Sequence, residues 1–321
     1  MSKSEERDNV RLKDLIKRIL QIIIVLIGIS FLTFLLTYLA PGDPVTAMYT
    51  ASGSIPSAEI MEQTREALGL NKPFLVQYWN WLSGCLHGDF GTSYAYSKPV
   101  VTLLLDRLWP TLKLALCSLV LMLVVSIPLG ILSATHKGGV ADYIVRFLTF
   151  LGASLPNFWV GLLLMYCFAV KLGWLPVVSA GQGFSKLILP TITLAFAMMG
   201  KYTRQVRTAF LEELNQDYVV GAQCRGIKES VILWKHVLPN SILPLVTMLG
   251  LSLGSLLGGT AVVEVIYSYP GLGSLAVSAI TAMDYSLIQG YVLWIALIYM
   301  VINLVVDISY GLLDPRMKEK R

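Results

Sequence analysis

Three histidines, His87, His136 and His236, and four cysteines, Cys85, Cys117, Cys167 and Cys224, are the side chains best suited to act as bases, nucleophiles or metal ligands. Their spacing organises none of those chemistries. No C-x-x-C pair occurs, so neither a zinc site nor a disulfide framework is expected. Each histidine falls in or beside a polar connection, which leaves Ser255 and Ser274 without the neighbouring base that a hydrolase needs. The spacing that stands out is mechanical. It is DYVVGAQCRGIKESVILWKHVLPN, Asp217 to Asn240, a mixed-charge segment set between stretches too apolar for water.

Tyr218, Val219, Ala222 and Arg225 share one helical face, and beyond Gly226 a second set, Ile227, Val231, Trp234 and Leu238, recurs at spacings of four, three and four. Two short amphipathic helices joined at a glycine are predicted. Gly226 suits the left-handed conformation that ends a helix, Gly221 and Ala222 leave room for another backbone, and Pro239 opens a new element. Two uses are open to such a segment. The helices can lie on a membrane surface with their apolar face among the headgroups. Alternatively they form a docking surface for a cytosolic partner, in which Arg225 and Lys228 meet acids.

The elements around this segment belong to a membrane. Of 321 residues 55% are apolar and 14% charged, against soluble norms of roughly 45–50% and 25%. Apolar runs near 16–39, 112–134, 144–170, 187–200, 241–263 and 287–310 give an all-α integral membrane fold with six transmembrane helices. The first run follows RLKDLIKRIL and is too long for a signal-peptide core, so it is read as a retained helix. The expected division is a cytoplasmic segment 1–15, a membrane domain 16–310 and a cytoplasmic tail 311–321. An outer loop covers 40–110, and the polar segment lies within an inner loop, 201–240.

Lys and Arg set the orientation, because they cross poorly during insertion. They gather in the opening segment, at Lys137 and Arg146, at Lys201, Arg204, Arg207, Arg225, Lys228 and Lys235, and in the tail. Residues 264–286 carry none, and 40–110 carry six acidic against four basic residues. Both termini are therefore expected inside. The net charge of +5 reflects this bias and attraction to anionic lipid, and calls for no nucleic acid.

In the fifth run Gly250, Gly254 and Gly258 repeat every four residues. Such a smooth stripe serves close helix packing or a pore wall. Lys113, Glu264 and Asp307 are the ionisable groups near span ends, and Glu264, at the outer end of the glycine-bearing helix, is the candidate for function. In the outer loop Ser57 can cap a helix carrying Glu59 in its first turn and ending near Gly69. Pro73 can open another that puts Phe74, Tyr78, Trp81 and Leu82 on one face.

The inner loop resembles the coupling loop of permease subunits of ATP-binding-cassette importers, whose pattern is Glu-Ala-Ala, three residues, Gly, nine residues, Ile, one residue, Leu-Pro. Val220, Gly221 and Ala222 stand where Glu-Ala-Ala would, Gly226 falls at the Gly, His236 replaces the Ile, and Leu238 and Pro239 complete it. APGDP, LGLNKPFLVQYWNWL, HGDFGTSY, SLPNFW, YSYPGLG, MDYSLIQ and LLDPR, in that order, are similar to the dipeptide, oligopeptide and nickel class.

The resemblance implies the type I importer architecture. It also implies a second related permease, two ATPase subunits, an extracytoplasmic binding protein and a bacterial cell membrane. Val220, Gly221, Ala222, Arg225, Gly226, His236, Leu238 and Pro239 would carry coupling. The chain has no G-x-x-x-x-G-K-[ST] loop, so ATP and Mg are expected on the partner ATPases, and this chain is expected to bind no cofactor and to be no enzyme. SLPNFW, AVSAI and MDYSLIQ look closest to nickel permeases, which makes nickel the expected solute and peptide the alternative. An ion-driven secondary transporter is the reading from another class, and it would show intramembrane carboxylates and internal symmetry that this sequence has little of.

Overall fold

The computed structural model describes residues 3–51, 53, 56–181 and 183–313, with side chains described from residue 16 to 306 except at residue 51 and in parts of 242–259. The elements in order are α1 (Lys3–Leu39), α2 (Pro44–Ala51), α3 (Ala58–Ala67), α4 (Phe74–Leu86), β1 (Thr92–Ser93), β2 (Lys98–Pro99), α5 (Val100–Thr135), α6 (Val140–Ser154) and α7 (Asn157–Leu164). A π-helical turn, Met165–Lys171, extends α7. Then come α8 (Ser185–Leu214), α9 (Asp217–Cys224), α10 (Glu229–Ile232), a second π-helical turn (Leu233–Val237), α11 (Leu238–Ile266), α12 (Leu272–Thr281) and α13 (Tyr285–Leu313). The chain divides into two units, Met1–Leu108 with Leu275–Leu304 and Trp109–Ser274 with Val305–Arg321.

Among the described residues three helices are long and apolar enough to cross a bilayer: Ile16–Leu39, Val100–Thr135 and Tyr285–Val306. The third expected span is broken. Val140–Ser154 and Asn157–Lys171 meet at 102°, because Pro156 lacks an N–H and forces Leu155 out of the helical region, to ψ 135. Among the described residues, helix length and composition thus give three crossings, or four with the bent pair taken as one; the fifth expected run, 241–263, lies in α11, much of whose side-chain detail is outside the described residues. The fourth expected span lies in α8, a 30-residue helix that carries Lys201, Arg204 and Arg207 beyond its apolar half.

In the first unit α4 lies against α1. Phe74 packs on Tyr38 with ring centroids 5.0 Å apart, Tyr78 on Phe31 at 5.3 Å and Trp81 on Phe34 at 5.5 Å. Ser57 caps α3 as expected, its hydroxyl accepting from the Ile60 amide at 3.4 Å. The β1–β2 hairpin is fixed to the start of α13 by Asp284. This buried carboxylate accepts from Ser93 Oγ at 2.6 Å, from the Ala95 amide at 3.1 Å and from the Leu287 amide at 3.1 Å. Its last bond caps α13 and its first two hold the loop, so one side chain joins two elements.

The second unit is built round α8, which packs against α6, α7 and α11. Leu114, Leu187, Leu194, Leu256, Val263 and Tyr267 form its main core. The backbones of α6 and α8 nearly touch at Gly200, where a Cβ would sit 2.6 Å from the Thr149 carbonyl oxygen. Only glycine permits that approach.

Candidate coupling site

The polar segment folds as two short helices about a glycine. α9 ends at Cys224, and Gly226 takes φ +72, the left-handed region. The turn is closed by Gly226 N–H to Gln223 O at 2.9 Å and Ile227 N–H to Ala222 O at 3.2 Å. A Cβ at Gly226 would meet nothing within 4 Å, so the constraint there is backbone angle and not space.

The inward faces differ in part from the predicted ones. Val219, Ala222, Ile232 and Val237 are buried with Ala134 and Phe210, and Ile227, Leu233 and Leu238 pack around them. Trp234 is 61% exposed and Tyr218 is exposed with its hydroxyl on Glu213 at 2.8 Å. The cause is the π-helical turn. Its wider repeat puts Ile232 and Val237, five apart, on one side and swings Trp234 out of the 3.6-residue phase.

The expected coupling residues therefore separate into two groups. Val220, Arg225, Gly226, His236 and Pro239 are exposed, and Gly221 is half-buried with open space where a side chain would be. Ala222 is buried, and with half-buried Leu238 it faces the chain's own core. Ala222 thus anchors the loop, while Val220, Arg225 and Gly226 lie at its exposed surface and Gly221 beside them is half-buried. Phe210 of α8 and Ala134 of α5 supply the other side of that core. Behind it Arg207 of α8 pairs with buried Asp142 of α6. From sequence alone Arg207 is only an orienting charge and Asp142 has no assigned role. The available signal was a carboxylate in an otherwise basic inner connection.

The pore candidates are distributed as follows. α11 carries Gly250, Gly254 and Gly258 at four-residue intervals, and Gly254 is half-buried. The surroundings of Gly250 and Gly258, the side chain of Asp307 and the tail from 314 lie outside the described residues. Glu264 is fully buried within its own unit. It accepts from Thr111 Oγ1 at 2.7 Å and from the Ser274 amide at 2.9 Å, and a Cβ on Gly271 would lie 2.2 Å from its carboxyl carbon. In this conformation it offers no surface to a pathway and holds the turn of residues 267–274 instead. Among the described residues no group of three or more His, Cys, Asp or Glu is placed to hold a metal ion.

Residues 126–319 match the family model described as binding-protein-dependent transport system inner membrane component, and residues 11–115 match its N-terminal companion. The chain is 40% identical over 305 residues to the glutathione transport system permease protein GsiC of Pectobacterium atrosepticum, covering 95% of this chain and 98% of that one. It is 42% identical over 314 residues to the oligopeptide transport system permease protein AppB of Bacillus subtilis, with the same two coverages of 95% and 98%. A chain of the MetNI methionine ABC transporter, solved in inward-facing conformations, shares the fold with TM-score 0.54 at 19% identity, over 66% of this chain and 96% of that one.

Proposed function

This chain belongs to the family of binding-protein-dependent transport system inner membrane components, as an ABC importer permease of type I fold and not an enzyme, and on that premise we propose that it forms half of a pathway for short peptides. Such a subunit is a multi-pass inner-membrane protein that works with a second permease, a separate ATPase and a binding protein. In our reading the partners are one related permease, two ATPase subunits carrying ATP and Mg, and one extracytoplasmic receptor. Both termini lie in the cytoplasm.

The observation that carries the mechanism is the left-handed turn at Gly226 between two short helices whose inner faces share one core with α5 and α8. A partner seated on Val220, Gly221 and Arg225 moves a packed body, because close-packed side chains transmit displacement and do not absorb it. Closure of the ATPases then pulls the ends of α5, α8 and α11 together and reorients the pathway.

The peptide reading is supported by the names of GsiC and AppB, which concern glutathione and oligopeptides. Those relatives give the expected nickel solute no support. Proteoliposomes holding the assembled transporter, its receptor and internal ATP separate the cases. Uptake of labelled glutathione, di- or oligopeptide that requires ATP is expected. Uptake of a nickel chelate alone would overturn the substrate, and accumulation driven by a proton gradient without ATPase would overturn the class. Cys224, exposed on α9, gives an independent check on the docking surface, since its alkylation should be slowed by bound ATPase.

A further inference from the structure

Helix α4 stands in a stretch that a topology map assigns wholly to the extracytoplasmic loop, yet its position and surface do not suit water. The Tyr78 hydroxyl lies 2.9 Å from the Ser30 hydroxyl, in a buried contact. Ser30 belongs to the crossing Ile16–Leu39, and at 1.5 Å per residue it sits about 14 Å inward from Leu39 along α1. Phe74 and Trp81 meet the same helix at Tyr38 and Phe34, also inside that crossing. All three contacts thus fall beside the outer half of a membrane span.

The sequence of α4, FLVQYWNWLSGCL, contains no charge. Its residues sort into three arcs at 100° per residue. Phe74, Tyr78 and Trp81 face α1. Next to them Leu75, Trp79 and Leu86 form a second apolar stripe at spacings of four and seven, and these are 66%, 66% and 78% exposed. Gln77, Asn80 and Ser83 take the remaining arc, with Val76, 43% exposed, among them, and Gln77 Nε2 donates to the Leu70 and Lys72 carbonyls at 2.9 and 2.7 Å. The polar arc is therefore turned toward the loop, and the exposed apolar stripe is not.

We propose that α4 is an interfacial helix, sunk into the outer leaflet beside α1, with Leu75, Trp79 and Leu86 packed against lipid acyl chains. A helix with an apolar side and a polar side lies in the plane of a bilayer surface, its apolar side several ångströms below the headgroups, and α4 has both sides, the polar one carried by amides and a hydroxyl in place of charge. Trp favours that level because its ring is apolar and its N–H is polar. Lipid is the occupant that fits, since α1 bares Leu32, Leu36 and Leu39 over the same depth. The consequence is an anchor that ties the outer loop to the membrane at its middle.

The test is spin labelling of the assembled transporter in lipid nanodiscs, with the native cysteines exchanged for serine and ATP-driven uptake checked for each variant. Labels at Trp79→Cys and Leu86→Cys are compared with Asn80→Cys. Collision with dissolved oxygen should be several-fold higher at 79 and 86 than at 80, and collision with a water-soluble nickel chelate several-fold lower. Equal access of the chelate to all three positions would put the stripe in water and overturn the proposal. Exclusion of both reagents at 79 and 86 would mean that protein covers it, which overturns the lipid assignment equally. The two labels serve as replicates, so one that fails to assemble leaves the other to decide.

Discussion

Arg207 and Asp142 meet edge to edge, Nε on Oδ1 at 2.8 Å and Nη2 on Oδ2 at 2.9 Å, with Ser133 Oγ and the Gly138 amide completing the carboxylate's shell. The pair fastens α8, ten residues before it enters the coupling loop, to the start of α6 and the end of α5. Asp142 is 1% exposed, so it depends on this partner for its charge.

Breaking the pair from one side should be costly. Arg207→Met leaves a buried carboxylate unpaired, a loss of about 3–5 kcal/mol. Asp142→Asn in the same chain should restore much of it, because the uncompensated charge is then gone. Thermal unfolding of the purified assembly in detergent reads both, and equal melting of the single and double variants would count against the account.

Gly226 should tolerate a residue according to backbone angle and not size. The left-handed region costs most L-residues about 1–2 kcal/mol, and asparagine pays least. Gly226→Asn should keep most uptake, while Gly226→Val should lose it with insertion into the membrane intact. Immunoblotting of the membrane fraction beside an uptake assay distinguishes lost coupling from lost protein.

Gly200 and Gly221 should respond oppositely. A Cβ on Gly200 would strike the Thr149 carbonyl oxygen at 2.6 Å, and prising α6 from α8 should cost about 1–3 kcal/mol. At Gly221 nothing lies within 4 Å, so Gly221→Ala should gain roughly 0.5–1 kcal/mol through lower backbone entropy. If a partner approaches there, Gly221→Leu should melt normally and yet transport poorly.

The outer cap should loosen in acid. Arg65 donates to Asp43 at 2.7 Å and holds its carboxyl down at about 2, below the ordinary value of 3.8. A depressed carboxylate gives stability that is full above its unfolded value and is lost as pH falls through its folded one. Amide exchange in α2 and α3 should thus quicken between about pH 4 and 2. Arg65→Gln should flatten that pH dependence, because Asp43 then titrates nearer its unfolded value, and should quicken exchange already above pH 4; an unchanged profile would remove the pair's role.

Several features were legible because they are local. The Ser57 cap, the Pro73 start, the Gly226 turn and the Phe74, Tyr78, Trp81 face each follow from side-chain chemistry within a turn or two of chain. Others depended on partners far along the sequence. Glu264 reads as a membrane carboxylate awaiting a use until Thr111 and Ser274 are seen to satisfy it. Trp234 reads as inward until a π-helical turn changes the phase, and no residue in LWKHV announces that turn.

The sequence by itself determined that this is a helical membrane chain with a hinged polar segment, because hydrocarbon selects for apolar runs and glycine alone takes a left-handed turn without cost. Tertiary structure decided which side of that segment is buried, what satisfies Glu264, and which acid meets Arg207. Those outcomes turn on the free energy of pairing and packing between distant residues, and periodicity along one helix carries no record of what the helix will lie against.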